Sequence, residues 1–180
     1  MNHRLLIIFI CMFVSKINAM DLLDNKNNSN TFYQKWEFLT DQVMGGVSTG
    51  KLDIVNENDT YFIRLSGKVS TKNNGGFIQF RSNFNSKKEF EGIKIKAKGI
   101  PSDYYIHIRT SFLLLPWQYY SGKFTVTKEW SEIKIPFNDF KKSNFYQPSQ
   151  FNSSDIKSIG FVAFGKDFDA QLDLIEAELF

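Results

Sequence analysis

Few residues of this sequence could carry out acid–base or nucleophilic chemistry. His107 is the only histidine beyond the N-terminal leader, and it alternates with Tyr105 and Arg109 in a strand-like pattern. These three side chains are therefore expected on one face of a strand. No serine, aspartate or second histidine stands at a spacing typical of a catalytic triad or a metal site. The sequence does not favour catalysis at His107, and we expect no metal and no cofactor.

Paired carboxylates are the remaining route to catalysis, because glycoside hydrolysis needs only two acids at a suitable separation. The sequence contains several candidate acids, but nothing in it shows which two would act together: Asp41, Glu89, Glu91, Asp103, Glu129 and Glu132. Their separation cannot be obtained from the sequence. A hydrolase is therefore kept as the weakest of three hypotheses.

Two glycine pairs interrupt the apolar pattern, Gly45-Gly46 within 41–48 and Gly75-Gly76 within 70–77. Adjacent glycines indicate a backbone with positive φ, a bulge, or close approach by another group. They form either two structural turns or a polar binding rim, and the candidate rim residues are Asp41, Met44, Gly45, Gly46, Ser48, Asn73, Asn74, Gly75, Gly76 and Arg81. A phosphate loop is excluded, since no lysine-serine or lysine-threonine pair and no helix follow the glycines.

Aromatic side chains suggest a second candidate surface. Trp117, Tyr119 and Tyr120 follow an apolar run and Pro116, where a loop should enter a strand. Together with His107 and Arg109 they could stack on sugar rings or contact a partner protein. Aromatics make up 16% of the chain, so the alternative for each ring is the core.

The N-terminus resembles an export signal. Arg4 precedes the apolar run 5–14, and Ile17-Asn18-Ala19 is suitable for cleavage, so residues 1–19 are predicted to be a signal peptide, with a retained N-terminal anchor as the alternative. Cleavage removes Cys11, the only cysteine, and leaves no predicted transmembrane span. The protein is then expected to be exported, either periplasmic or secreted. Its basic and acidic residues would nearly balance, so nucleic acid is not an expected partner.

Period-two alternation dominates the rest of the chain. Residues 20–34 are predicted to be a flexible N-terminal segment, and residues 35–180 a single all-β domain. Ile93, Ile95 and Ala97 alternate with lysines, and a change of phase near Leu174 predicts a bulge. Many short strands favour a jelly-roll β-sandwich with little or no helix, apart from one turn around 137–141. Strands are expected at 36–40, 47–55, 61–69, 76–81, 93–97, 104–110, 119–126, 131–135, 156–164 and 171–179.

Several motifs resemble the NADH:ubiquinone oxidoreductase complex I intermediate-associated protein 30 family. They are the 41–48 segment, Gly67-x-Val69-Ser70, Asn73-Asn74-Gly75-Gly76-Phe77 with Arg81, Trp130 before Ile135-Pro136-Phe137 and Phe140, and Ile159-Gly160-Phe161. The resemblance covers about 36–180. It implies a galactose-binding-domain-like jelly roll and a non-enzymatic, chaperone-like role in assembling respiratory complex I in mitochondria.

The N-terminal leader departs from that family. A mitochondrial member would carry an amphipathic, arginine-rich transit peptide, whereas this chain carries an export signal, which would place the domain on the wrong side for matrix-side assembly. The first hypothesis is an exported binding protein that acts as a chaperone-like assembly factor on a protein partner, such as a subunit of a membrane complex. The alternatives are a carbohydrate-binding module and, less favoured, a glycoside hydrolase.

Overall fold

Two antiparallel sheets make up the fold in the computed structural model, which describes residues 19–24 and 26–180. The predicted signal peptide therefore lies outside the described residues, except for Ala19. The strands are β1 (Met20–Asp21), β2 (Trp36–Thr40), β3 (Thr49–Glu57), β4 (Thr60–Val69), β5 (Phe77–Asn83), β6 (Gly92–Gly99), β7 (Ser102–Thr110), β8 (Tyr120–Val126), β9 (Ser131–Pro136), β10 (Lys141–Lys142), β11 (Ile156–Phe164) and β12 (Phe168–Leu179). The predicted all-β jelly-roll sandwich is confirmed.

Each sheet has six strands. Sheet A has the order β3-β4-β12-β6-β9, with β1 added to the end of β12, and sheet B has the order β10-β8-β7-β11-β5-β2. The register between β12 and β6 shifts between Leu174 and Glu176, so the predicted bulge is confirmed. It brings Leu172, Leu174, Ala177 and Leu179 all to the core side.

The core lies between the sheets and is rich in aromatic rings. Phe80 and Phe161, from neighbouring strands of sheet B, stack at 5.1 Å, and Trp36 packs against both. In β7 the buried Tyr104, Ile106 and Ile108 face this core. The alternate residues of the same strand therefore lie on the outer face of sheet B.

The N-terminal segment corrects one prediction, because residues 20–34 are not simply a flexible lead-in. Met20 and Asp21 pair with the end of β12, and Leu22 and Leu23 are buried in the core. A short helix, α1 (Ser29–Lys35), follows, capped by the Asn28 side chain, and it buries Phe32. The polar composition of the segment concealed its three apolar anchors, Leu22, Leu23 and Phe32.

Short 3-10 turns complete the helical content, at Asp41–Met44, Lys72–Asn74, Phe137–Asp139 and Ser153–Asp155. The third confirms the turn predicted near 137–141. Within the described part of the chain, no helix has both the length and the apolar character needed to cross a membrane.

The loops gather at two opposite ends of the sandwich. At one end, which we call the glycine end, the 41–48 and 70–76 loops meet Gly165, whose N–H donates to the Gly76 carbonyl. At the other, which we call the loop end, the β7–β8 loop (111–119) lies beside the β10–β11 loop (143–155), since the Ser111 and Ser143 amides donate to the Asp155 and Tyr119 carbonyls. The strands thus hold the two predicted candidate sites at different ends.

Candidate functional site

One buried carboxylate organises the glycine end. Asp41 has no exposed surface, and its side chain accepts hydrogen bonds from the Ser48 N–H (2.9 Å), the Ser48 hydroxyl (2.5 Å), the Gly76 N–H (2.6 Å) and the Phe77 N–H (3.2 Å). Burial alone would raise the pKa of Asp41, but these donors together outweigh it and hold the pKa below its ordinary value. The carboxylate is therefore ionised and joins both glycine loops.

Ser48 extends this network to the end of β4. Its hydroxyl oxygen accepts from the Ser70 N–H at 2.9 Å while it donates to Asp41. The next residue, Thr71, donates through its N–H and its hydroxyl to the Asp167 carboxylate. The three loops that meet at the glycine end are therefore tied to one another through side chains.

The two glycine pairs serve the Asp41 network in the same way. Gly45 and Gly76 have φ of +90° and +126°, in the region that favours glycine. Gly46 and Gly75 lie so close to the Asp41 carboxyl group that a Cβ on either residue would overlap it. Each pair thus contains one glycine for its backbone conformation and one for close approach.

The remaining predicted rim residues divide between two places. Asn73 and Asn74 both have φ of +57°, and the Asn73 side chain donates to the Gly45 carbonyl. Met44 lies in the 3-10 turn and is 62% exposed, next to Val43, which is 71% exposed. Arg81 is separate from this group, because it lies on β5 and forms an ion pair with Glu37. The Asp41 network therefore holds a turn that displays apolar side chains, which we call the braced turn (41–48).

The outer face of sheet B carries an aromatic cluster around His107. The His107 ring stacks on Tyr119 at 3.9 Å with an interplanar angle of 16°, and Phe164 meets both rings edge-on. The Nε2 atom of His107 is buried and has no hydrogen-bond partner among the described residues. Burial lowers the pKa of His107 to about 3, so the ring is neutral at physiological pH.

The other predicted face residues have different environments. Arg109 donates from Nη2 to the Leu113 and Leu115 carbonyls, which fixes the β7–β8 loop. Trp117, in that loop, is 59% exposed. Tyr120 does not belong to the face: it is buried in the core, and its hydroxyl donates to the Pro148 carbonyl. The structure thus groups His107 with Tyr119, places Trp117 at the loop end and corrects the placement of Tyr120.

Sequence reasoning did not identify an exposed apolar surface at the loop end. At the loop end, the β7–β8 and β10–β11 loops together expose Phe112, Leu114, Leu115, Trp117, Phe145 and Tyr146. We call these six residues the loop-end surface. The run of apolar residues before a proline, between two strands, was the available signal for the first loop. Phe145 and Tyr146 were concealed by a polar neighbourhood.

The carboxylates considered for hydrolysis lie at several places, and two of them, Glu89 and Glu91, share a cavity. The Asp41 carboxylate is already hydrogen-bonded within the domain. Asp103 forms an ion pair with Lys123 and accepts a hydrogen bond from the Thr125 hydroxyl, and these contacts lower the pKa of Asp103. Glu89 and Glu91 line a cavity of about 510 Å³ at the loop end. In the described part of the chain, no group of three or more metal-ligating side chains comes together.

Solved structures with a similar fold include carbohydrate-binding modules from Clostridium thermocellum. The family 11 module of the cellulosomal cellulase Lic26A-Cel5E has a TM-score of 0.66 and 16% identity, covering 81% of this chain and 87% of that one. The family 11 module in complex with a β-1,3-1,4-mixed-linked tetrasaccharide has a TM-score of 0.63 and 16% identity, covering 81% and 88%. The family 30 module of cellulase Cel9D-Cel44B has a TM-score of 0.50 and 18% identity, covering 73% and 82%. At these identities the likeness concerns the fold.

Sequence comparison identifies the family. No curated protein matches the chain. Residues 25–174 match the family described as complex I intermediate-associated protein 30, and this range includes the braced turn, the Asp41 network and the His107 cluster. The chain therefore belongs to the complex I intermediate-associated protein 30 family.

Proposed function

We propose that this chain is an exported, non-enzymatic binding domain that acts as a chaperone-like assembly factor on a protein partner, a subunit of a membrane complex. Family membership supports a role in assembly, and the leader sequence supports export. The observation that carries the proposal is the braced turn, which displays Val43 and Met44 from a backbone held by the Asp41 network.

A rigid turn with exposed apolar side chains is suited to binding a protein. Exposed apolar groups that gather at one place mark interaction surfaces. Methionine adapts its shape to different partners, which suits a factor that binds incompletely folded subunits. Because the Asp41 network already fixes the backbone, little conformational entropy remains to be lost when the partner binds.

The chemistry of the polar groups also supports a non-enzymatic role. All of the hydrogen bonds to the Asp41 carboxylate come from within the domain, so this acid is not free to transfer a proton to a ligand. The low pKa of His107 leaves its ring neutral, and its Nε2 atom is shielded from solvent. Neither group is placed as a general acid or base.

Co-purification in mild detergent tests the proposal. The double variant Val43→Asp/Met44→Asp changes two exposed side chains and should reduce the yield of the co-purified membrane subunit at least about tenfold. The matched control is Leu114→Asp/Phe145→Asp, which adds the same charge at the opposite end and should retain that partner. Equal recovery of the subunit with both variants, or no recovery with the wild type, would refute the proposal.

Carbohydrate binding at the outer face of sheet B is a second candidate, and the aromatic cluster favours it. Tyr105, His107, Tyr119 and Phe164 bring four rings together on this face. Flat rings next to polar groups are suited to stacking on sugars. The family 11 module was solved with a mixed-linked tetrasaccharide, which makes that glucan a reasonable first ligand to try.

Calorimetric titration with the mixed-linked tetrasaccharide tests this second candidate. If the face binds sugar, Tyr119→Ala should abolish measurable heat of binding, because it removes the ring stacked on His107. Tyr146→Ala is the matched control, since Tyr146 is 89% exposed at a different place. Absence of binding by the wild type to this and other glucans would remove the candidate.

A further inference from the structure

The loop-end surface is independent of the braced turn and lies at the opposite end of the sandwich. Leu114 is 88% exposed, Phe145 83% and Tyr146 89%, so these side chains project into solvent and do not line a cavity. Exposed apolar side chains on this scale mark a surface that contacts another phase or molecule. Their types are leucine, phenylalanine, tryptophan and tyrosine, which are the residues that enter the boundary between water and lipid.

The two loops that carry these residues are fixed to each other. The Tyr119 N–H donates to the Ser143 hydroxyl at 3.0 Å, and the Tyr119 carbonyl accepts from the Ser143 N–H and the Gln147 side chain. The Lys142 ammonium donates to the Phe145 and Gln147 carbonyls. The two loops therefore form one platform, from which the apolar side chains project.

Basic residues flank the apolar part of each loop. No acidic residue occurs between Asp103 and Glu129, or between Asp139 and Asp155, so the one acidic residue of the two loops is Asp155, at the end of the second. Arg109 supports the first loop, and Lys141 and Lys142 begin the second. Neither lysine forms an ion pair with any of the described residues. A cationic rim around apolar side chains complements an anionic interface.

We propose that the loop-end surface docks onto the anionic headgroups of a lipid bilayer, with the leucine and aromatic side chains entering the interface. Basic residues are attracted to the negative surface potential, and the buried apolar area supplies the remaining affinity. A second copy of this chain would bring like charges together at the rim. Docking in this orientation leaves the braced turn, at the opposite end, directed away from the bilayer.

Vesicle flotation with the purified protein tests the proposal. Vesicles of phosphatidylcholine alone are compared with vesicles of an equal mixture with phosphatidylglycerol. The wild type should bind the anionic vesicles, and added salt should weaken the binding. Leu114→Asp/Phe145→Asp should reduce it at least about tenfold. Val43→Asp/Met44→Asp, which introduces the same charge at the glycine end, should bind like the wild type.

Tryptophan fluorescence gives a second measurement on the same samples. Trp36 is buried and Trp130 half-buried, whereas Trp117 is exposed within the loop-end surface. Anionic vesicles should shift the emission to shorter wavelength, and Trp117→Phe should remove the shift while flotation persists.

Three results would overturn the proposal. The first is no binding to either kind of vesicle. The second is equal binding by the two aspartate double variants. The third is self-association that Leu114→Asp/Phe145→Asp abolishes while vesicle binding stays absent, which would assign the surface to a second copy of the chain.

Discussion

Replacing Asp41 with asparagine tests whether one carboxylate organises the glycine end. Oδ1 accepts from the Ser48 N–H, and Oδ2 accepts from the Gly76 N–H, the Phe77 N–H and the Ser48 hydroxyl. An asparagine amide must place its NH2 group against at least one of these backbone donors. The better orientation leaves only the Ser48 N–H without an acceptor.

The size of the effect follows from these contacts. Loss of one buried hydrogen bond to a charged acceptor, with its donor left unsatisfied, costs about 2–4 kcal/mol. For a chain of this length each kcal/mol lowers the melting temperature by about 2–4 °C. Asp41→Asn should therefore melt on the order of 10 °C below the wild type at neutral pH.

Differential scanning calorimetry at several pH values completes the test. The pKa of Asp41 is lowered by folding, so its stabilisation is present above the unfolded-state pKa and is lost as the pH falls through the folded-state pKa. The difference between Asp41→Asn and the wild type should therefore narrow below about pH 4. Asp167→Asn is the control, because Asp167 is exposed and serves Thr71 alone, and its effect should be much smaller. A melting temperature for Asp41→Asn equal to that of the wild type would refute the reasoning.

Three further predictions concern single residues. Burial lowers the pKa of His107 to about 3 in the folded state. Acidification from about pH 7 to 5 should therefore lower the free energy of unfolding of the wild type by up to about 2 kcal/mol more than that of His107→Gln, measured by urea unfolding. Parallel pH profiles of the two proteins would contradict this. Gly75→Ala should lower the melting temperature because its Cβ would overlap the Asp41 carboxyl group. The control Gly165→Ala, which only the positive φ of Gly165 opposes, should lower the melting temperature less. Equal decreases in the two variants would argue against a steric cause. Arg64→Ala should destabilise the fold by about 3 kcal/mol, because it leaves the buried Asp173 carboxylate without its two 2.7 Å bonds; chemical denaturation showing no change would refute it.

The sheet architecture could be predicted because each strand carries its own signal. Alternation in β6 placed Ile93 and Ile95 inside, and the change of phase in β12 indicated a bulge. Both patterns are local, so the sequence is sufficient to read them. The N-terminal helix lacked such a signal, because its one buried residue, Phe32, is recognisable as a core residue only from its stacking on the Trp36 ring, which in turn packs against Phe80.

The candidate sites were predictable only in part for a similar reason. The glycine pairs indicated unusual backbone, but the closeness of Gly46 and Gly75 to Asp41 depends on two loops meeting in space. Tyr120 and Trp117 look alike in the sequence, yet one fills the core and the other is exposed. The loop-end surface could not be predicted because it depends on the pairing of β8 with β10. Strand β10 has only two residues, too few to show an alternating pattern.

Site-specific photo-crosslinking tests the central claim most directly. A photoreactive phenylalanine analogue is placed at position 44 in the braced turn, and at position 33, an exposed tyrosine of α1, as the reference. In cells that make the protein, position 44 should crosslink to one membrane-complex subunit, and Val43→Asp should abolish the product, whereas position 33 should not form it. The same crosslinks at both positions, or none at position 44, would contradict the claim that the braced turn binds a protein partner.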